Sequence, residues 1–207
     1  MGTLLQVNVG QVQTFMIGRR LTDTAIVKAP VQGPVRIAGE LVDGDDQAEE
    51  VHHGGRDKAV YAYDRAAYDW WELQRGQTLP SGFFGENLTL AGIDVDGARL
   101  GERWRIGEVE LEVRSPRIPC AKLEWRMQDR FLADFLRSDR AGAYLRIVTP
   151  GEVQAGMEVE VVARPDHEVT ITDVLQLWRG EGTAAHVLTA GDHLNDDIRA
   201  RAESRLR

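Results

Sequence analysis

One cysteine stands out among the residues of this 207-residue chain that can do chemistry. Cys120 is the only cysteine, and it lies in the stretch Arg-Ser-Pro-Arg-Ile-Pro-Cys-Ala-Lys, which begins at Arg114 and ends at Lys122. A thiolate binds metals and attacks electrophiles, and nearby cations favour the thiolate over the thiol. Pro116 and Pro119 stiffen the backbone beside it. Two interpretations stay open at this level: a reactive or metal-binding thiol, and a small buried hydrophobic residue.

A second cluster places two histidines and two glycines before a basic residue. His52, His53, Gly54 and Gly55 precede Lys58. Consecutive glycines let a backbone approach a ligand closely, and a lysine nearby adds positive charge, although the same pattern is also typical of a plain turn. The histidines are possible zinc ligands, but neighbouring strand residues point in opposite directions and no carboxylate has the spacing of a zinc site.

A third cluster, Phe-Phe-Gly-Glu-Asn-Leu-Thr, occupies residues 83–89. Asn87 offers both hydrogen-bond donors and an acceptor, which suit the edge of a heterocycle. Glu86 can relay a proton if it lies near a reactive centre, and a solvated strand end explains an acid at this position equally well. The cluster alone is a weak signal for function.

Composition excludes several classes of protein. A single cysteine excludes an intramolecular disulfide framework and any multi-cysteine metal site, and it suits a reducing compartment. No apolar run approaches the roughly 20 residues of a membrane span. The formal net charge of −8 argues against general nucleic-acid binding. We therefore expect a cytoplasmic protein that has no membrane or nucleic-acid partner.

Charge is distributed unevenly along the chain. Residues 40–50 contain six acids and no base, whereas residues 114–122 contain three bases and no acid. The acidic run is typical of a solvated loop. The basic segment predicts a local anion-binding pocket within an acidic protein.

Alternation of apolar and polar residues predicts strands in the first three quarters of the chain. The predicted strands are residues 4–9, 59–63, 87–90, 143–148 and 157–162, together with a hairpin whose arms are residues 104–106 and 109–113. Many short strands separated by turn sequences indicate a mainly β, barrel-like antiparallel fold.

Helices interrupt and follow these strands. Asp64 is predicted to cap a helix that runs to about Arg75 and stops at Gly76, and a second helix is expected over residues 127–136. Three short helices follow residue 165: one with a capping box at Thr170 and Asp173, one capped by Thr183, and one with apolar residues at positions 194, 198, 202 and 206. We predict a β-domain over residues 1–164 and a small three-helix domain over residues 165–207, which should dock on it.

Taken in order, the clusters resemble the MOSC domain, a family named after the C-terminus of molybdenum cofactor sulfurase. The resemblance is carried by residues 44–47, 53–61, 84–89 and 116–123. It covers roughly residues 1–164, and the helical tail looks like the three-helix domain of the YiiM-type bacterial members. His52 departs from the usual pattern beside His-Gly-Gly, which leaves open which of the two histidines faces the pocket.

The resemblance implies a cofactor and a set of residues that bind it. The cofactor is molybdopterin, which brings a dithiolene, a pterin and a phosphate, and Cys120 would be the protein's ligand to molybdenum. The residues implied for the phosphate are Lys58, Arg114, Arg117 and Lys122. Those implied for the pterin or the metal pocket are His53, Gly54, Gly55 and Asn87.

The resemblance also implies an enzyme that reduces N-hydroxylated compounds, such as hydroxylaminopurine-type bases. Reducing R–NHOH to R–NH₂ consumes two electrons and two protons. The sequence has no flavin or iron–sulfur motif, so a separate flavoprotein or iron–sulfur reductase is the expected electron donor. The helical tail is a candidate surface for that donor, for simple packing or for a homodimer.

Two other functions stay open. One is a carrier that holds the molybdenum cofactor or sulfur through Cys120, because MOSC domains are also attached to cofactor sulfurases. No pyridoxal-phosphate sulfurase domain accompanies this chain, which lowers the weight of that function. The other is a thiol enzyme that works without metal.

Overall fold

The computed structural model describes residues 1–48, 55–128 and 131–207. The strands in these ranges are β1 (Gly2–Val9), β2 (Gln13–Ile17), β3 (Arg20–Thr24), β4 (Ala29–Val31), β5 (Val35–Ala38), β6 (Leu41–Val42), β7 (Val60–Asp64), β8 (Leu88–Ala91), β9 (Arg103–Ile106), β10 (Val109–Pro116), β11 (Ala143–Thr149), β12 (Gly151–Val153) and β13 (Glu158–Ala163). The helices are α1 (Arg65–Arg75), α2 (Ala121–Met127), α3 (Phe131–Arg137), α4 (Ile171–Arg179), α5 (Ala184–Leu188) and α6 (Asp196–Ser204). Short 3₁₀ turns lie at Arg56–Lys58 and Gly191–His193.

Seven strands form a closed barrel. They follow the order β1, β13, β9, β10, β11, β7, β8 and return to β1, and β4 pairs with the last residues of β1. Neighbours in the ring are antiparallel except β7 and β8, which are parallel. Parallel neighbours need a crossover connection, and this one contains α1. The predicted mainly β, barrel-like fold is confirmed.

The hairpin of β9 and β10 shows why the period-two pattern was informative. Ile106 pairs with Val109 and Trp104 pairs with Leu111, as the predicted hairpin requires. These four side chains are fully buried. Apolar residues at alternate positions therefore fill the barrel interior.

The predicted helix over residues 127–136 is wrong. Met127 ends α2, and α3 begins at Phe131. Gln128 has a φ of 52°, outside the right-handed helical region, so the helix cannot continue through it. The expected apolar face survives the break, because Met127, Phe131 and Phe135 are all buried.

The predicted ends of α1 and the predicted start of α4 are confirmed, whereas Thr183 precedes α5 without the predicted side-chain capping hydrogen bond. The Asp64 carboxylate accepts a hydrogen bond from the backbone N–H of Ala66, and Gly76 closes α1 in the left-handed conformation. Thr170 and Asp173 form the predicted capping box of α4. The stripe along α6 ends early, since Leu206 lies beyond the helix and is exposed.

Apolar residues from the barrel and from the C-terminal helices form one continuous cluster. Leu111 of β10, Val174 of α4, Val187 of α5 and Ile198 of α6 all belong to it. A second, aromatic cluster surrounds Phe84. The division into domains at residue 164 stays a prediction. No helix in the described ranges is both long enough and apolar enough to cross a membrane.

Candidate functional site

Four cations and the cysteine share one pocket, which we call the barrel pocket. Lys28, Lys58, Arg117 and Lys122 line it together with Cys120. The pocket wall also holds two acids, Asp45 and Asp46. The basic segment around Cys120 therefore shares this pocket with Lys28 and Lys58, which come from distant parts of the chain.

Cys120 lies between the end of a barrel strand and the start of a helix. β10 ends at Pro116, and Cys120 is the residue immediately before α2, with an extended backbone. Pro119 favours extended backbone at the residue before it, so this connection cannot begin the helix earlier. The thiol is half-buried and is part of the pocket wall.

Arg117 reaches the same pocket from the connection. Its guanidinium donates a hydrogen bond to the Cys120 side chain and another, of 2.5 Å, to the carbonyl oxygen of Phe84. It also lies 5.0 Å from the centre of the Tyr61 ring. Burial alone lowers the pKa of Arg117, but Tyr144, Tyr61 and Cys120 raise it further than burial lowers it. The buried Nε atom of Arg117 has no hydrogen-bond partner.

Gly85 allows this close approach. It has a φ of 77°, and a Cβ atom there would lie 2.9 Å from Ile26 and 3.3 Å from the Arg117 guanidinium. A larger residue would therefore crowd Ile26 and the Arg117 guanidinium and would strain the backbone. This gives a physical reason for the glycine in the third cluster.

Asn87 holds the wall together instead of facing into the pocket with free groups. Its Oδ1 accepts a hydrogen bond of 3.0 Å from the backbone N–H of Tyr61. Its Nδ2 donates to Asp45 at 2.8 Å and to the carbonyl oxygen of Asn8 at 3.3 Å. Both N–H donors of Asn87 are thus used inside the protein, which leaves none for the edge of a heterocycle.

Lys28 is a buried cation that sequence reasoning did not identify. It forms an ion pair with Asp45, which also accepts a hydrogen bond of 2.7 Å from the backbone N–H of Gly10. Burial lowers the pKa of Lys28, although the Asp45 carboxylate opposes that shift. A single lysine with no neighbouring motif gives no signal in a sequence, so only the fold reveals its role.

Glu86 is fully buried beside the pocket wall and is not among the residues that line it. Its Oε1 accepts hydrogen bonds from Tyr68 (2.6 Å), the backbone N–H of Gly82 (2.7 Å) and Thr89 (2.8 Å), whereas Oε2 has no partner. Burial raises the pKa of Glu86. The geometry gives this acid a structural role, and its predicted catalytic role stays untested.

Arg114 lies in an ion network away from the pocket. It donates a hydrogen bond of 2.9 Å to Glu112 and one of 3.3 Å to Asp57. Arg146 donates a further bond of 2.7 Å to Glu112. Among the described residues, Arg114 is not part of the barrel-pocket wall, so the structure does not bring it together with the other predicted phosphate ligands.

The second cluster is only partly described. His52, His53 and Gly54 lie outside the described residues. Gly55 has a φ of 86° and begins the 3₁₀ turn that carries Lys58 to the pocket wall. The sequence therefore identified a turn that delivers a cation, and the histidine assignment stays a prediction.

A second pocket, which we call the helix pocket, meets the first one at Cys120. Its volume is about 240 Å³, and it lies between the connection that follows β10 and the helices α4 and α6. Cys120, Lys58 and Tyr144 line both pockets. Burial raises the pKa of Tyr144, so its hydroxyl stays protonated at neutral pH. Sequence reasoning did not identify Tyr144 or this pocket.

Known proteins are similar to this chain in sequence and in fold. The family model of the MOSC domain matches residues 49–160. YiiM of Escherichia coli (strain K12) is 30% identical over 173 residues, which cover 82% of this chain and 75% of that protein. A protein named reductase from Gibberella moniliformis is 31% identical over 192 residues, 90% of this chain but 34% of that longer protein. The crystal structure of YiiM from Geobacillus stearothermophilus matches with a TM-score of 0.81 and 27% identity over 100% of both chains.

The chain belongs to the MOSC domain family. Within that family it is similar over its whole length to the YiiM-type proteins. The family is associated with the molybdenum cofactor, and one relative is named a reductase.

The barrel pocket has donors that fit molybdopterin. The Cys120 thiol can supply one sulfur ligand to a metal whose other sulfur ligands come with the cofactor. Lys58, Arg117 and Lys122 supply positive charge of the kind that a phosphate binds. The unpartnered Nε of Arg117 is a further buried donor available to a ligand.

Proposed function

We propose that this protein holds the molybdenum cofactor in the barrel pocket and reduces N-hydroxylated compounds. The supporting observation is the arrangement of Cys120 with Lys58, Arg117 and Lys122 around one pocket. The reductase-named relative supports the reaction class. When bound, the cofactor supplies a centre that accepts and delivers two electrons.

The proposed reaction converts R–NHOH to R–NH₂ and water. Two electrons and two protons enter, the N–O bond breaks, and the oxygen leaves as water. A separate flavoprotein or iron–sulfur reductase supplies the electrons, and solvent supplies the protons. Hydroxylaminopurine-type bases are the proposed substrates.

The chain's own residues bind, orient and transfer protons. Cys120 would bind the metal, and Arg117, fixed by its bond to Phe84, holds the thiol in position. Lys58 and Lys122 would bind the phosphate. Tyr144 lines both pockets beside Cys120, so its O–H is the candidate proton donor, and solvent replaces the proton that it gives.

The decisive experiment pairs a molybdenum assay with a reduction assay. The wild type and Cys120→Ser are purified from a host that makes the cofactor, and reduction of hydroxylaminopurine is measured with an artificial electron donor. We expect Cys120→Ser to lose both bound molybdenum and activity. Ala121→Ser, which places the same hydroxyl one exposed position further along, is the matched control and should keep both.

Other results would support a different function. Active, folded wild type that contains no molybdenum contradicts the cofactor proposal. Bound cofactor or a persulfide that is passed to an acceptor, with no reduction of hydroxylaminopurine, favours the carrier function. A Cys120→Ser protein that keeps its activity excludes both a ligand role and a nucleophile role for the thiol.

A further inference from the structure

The helix pocket differs from the barrel pocket in the chemistry of its wall. The two pockets share Cys120, Lys58 and Tyr144. Away from these three residues, the wall of the barrel pocket is mostly charged and amide-bearing, whereas that of the helix pocket is mostly apolar. A site beside Cys120 is therefore open to a ligand with little charge.

Apolar side chains face each other across the helix pocket. Ile118 and Pro119 belong to the connection that carries Cys120, and Trp178 and Ile198 come from α4 and α6. Trp178 is half-buried, so part of its ring is open to a ligand. Aromatic and aliphatic surfaces of this kind favour a flat, apolar face on the ligand.

A few polar groups interrupt this apolar wall. Asp197 and Asn195 lie at the start of α6, and Ser115 lies near the end of β10. The Ser115 hydroxyl is buried and has no hydrogen-bond partner. A buried polar group without a partner is costly, so an unpartnered hydroxyl in a pocket wall points to a ligand that completes it.

These features together match an aromatic nitrogen heterocycle. Such a molecule has flat apolar faces and an edge of N–H donors and nitrogen acceptors, which suit a carboxylate, an amide and a hydroxyl. Drug-sized ligands occupy pockets of roughly 300–1,000 Å³. A pocket of about 240 Å³ suits a smaller molecule, such as a single base.

We propose that the helix pocket is the substrate site, in which a planar nitrogen heterocycle lies against Trp178 and is read by Asp197 and Ser115. This inference rests on the proposed function for the identity of the reacting group. It assigns the C-terminal helices the role of selecting the substrate, while the barrel binds the cofactor. The Asp197 carboxylate accepts hydrogen bonds from N–H groups of the ring or its amino group. The Ser115 hydroxyl forms a hydrogen bond with the edge of the ring.

The test uses adenine, the product expected from hydroxylaminopurine, because its binding requires no redox chemistry. Its dissociation constant is measured by calorimetry for the wild type, Asp197→Asn and Ser115→Ala. We expect binding to weaken about tenfold in Asp197→Asn and about threefold in Ser115→Ala. Neither variant removes a hydrogen bond between described residues through the replaced atom, so both should fold.

Asp196→Asn is the matched control. Asp196 and Asp197 are neighbours in the first turn of α6, and both are exposed, but among the two only Asp197 lines the pocket. A general effect of charge at the helix start would change both variants equally. Adenine binding by Asp196→Asn should match the wild type within twofold.

The outcomes separate this site from the proposed reaction. Adenine binding that depends on Asp197 and Ser115, without any reduction of hydroxylaminopurine, supports the site and overturns the reaction. Reduction by wild type with the same KM in Asp197→Asn and Ser115→Ala overturns the site and leaves the reaction standing. The site is also overturned if the wild type fails to bind adenine, or if Asp196→Asn weakens binding as much as Asp197→Asn.

Discussion

The two pockets that meet at Cys120 differ in how the polar groups of their walls are hydrogen-bonded. In the barrel pocket, Lys28 and Asn87 both bond to the Asp45 carboxylate, so much of the polar wall is already satisfied. In the helix pocket, apolar side chains surround a hydroxyl that has no partner. A polar wall whose groups bond to each other keeps its shape without a ligand. A buried polar group that has no partner can gain its hydrogen bond from a ligand. Each wall has an unpartnered buried atom, Arg117 Nε in the barrel pocket and Ser115 Oγ in the helix pocket, but the barrel pocket surrounds it with hydrogen-bonded polar groups and the helix pocket with apolar ones.

Removing the C-terminal helices, which form one side of the helix pocket, should have the largest effect on the stability of the protein. A chain truncated after residue 164 loses Val174, Val187 and Ile198 from the main apolar cluster. Each fully buried side chain of this kind contributes about 1.5–3 kcal/mol, and the set approaches the roughly 5–15 kcal/mol by which domains are stable. We expect no cooperative thermal unfolding of the truncated chain by circular dichroism. A cooperative transition near that of the full chain would show instead that residues 1–164 fold independently.

Lys28→Met tests the polar wall at its ion pair. The substitution leaves the buried Asp45 carboxylate without its cation, and breaking a buried pair in this way costs about 3 kcal/mol or more. Urea unfolding should therefore show a lower midpoint with an unchanged slope. A loss below about 1 kcal/mol would mean that the pair is not part of the scaffold.

Asn87→Ala removes three hydrogen bonds from the same wall. The backbone N–H of Tyr61 and the acceptors on Asp45 and Asn8 lose their partner together. We expect the free energy of unfolding to fall by about 2 kcal/mol, measured by urea unfolding. If Asn87 instead reads the cofactor, Asn87→Ala will keep its stability and lose molybdenum.

Glu86→Gln tests the buried acid through pH. Burial raises the pKa of Glu86 above its ordinary value of 4.5, so the folded protein holds this proton at a pH where the unfolded chain has released it. The stability that this carboxyl contributes is present below pH 4.5 and is lost as the pH rises, with a slope of up to about 1.4 kcal/mol per pH unit. Stability curves from pH 4 upward should fall more steeply for wild type than for Glu86→Gln. Parallel curves would contradict a raised pKa.

Lys122→Ala should have the smallest effect on stability. Lys122 is half-buried in α2, and replacing it should change the free energy of unfolding by less than about 0.5 kcal/mol. The molybdenum content of the purified protein should nevertheless fall, because a phosphate loses one cation. Unchanged molybdenum together with lost stability would place Lys122 in the scaffold with Lys28.

Much of the fold was predictable because its signals are local. The hairpin of β9 and β10, the Asp64 cap and the capping box at Thr170 each depend on residues a few positions apart. The helix break at Gln128 was missed because the residue types there allow a helix, and only the backbone conformation ends it. Sequence patterns therefore located the helices and strands better than they located the breaks within them.

The site was best predicted where one segment carries several signals. Cys120, Arg117 and Lys122 lie within a few residues of one another, and the barrel pocket contains all three. Asn87 lines the barrel pocket, but its residue type could not show that the fold uses its N–H donors. The helix pocket joins Ser115, Trp178 and Asp197, which are far apart in the chain and share no motif. Such a site appears only when the helices are packed on the barrel.

The seam that closes the barrel, where β1 pairs with β13, affects the order in which the protein folds. Gly2 pairs with Val159 and Thr3 pairs with Glu158, so the ring joins its first strand in chain order with its last. Contacts between residues this distant in sequence form late, because closing the long loop between them costs conformational entropy. Cys120 is synthesised well before that seam can close. The Cys120 thiol is therefore present in the nascent chain before the ring of strands is complete, at a stage when it can be oxidised more easily than in the folded protein.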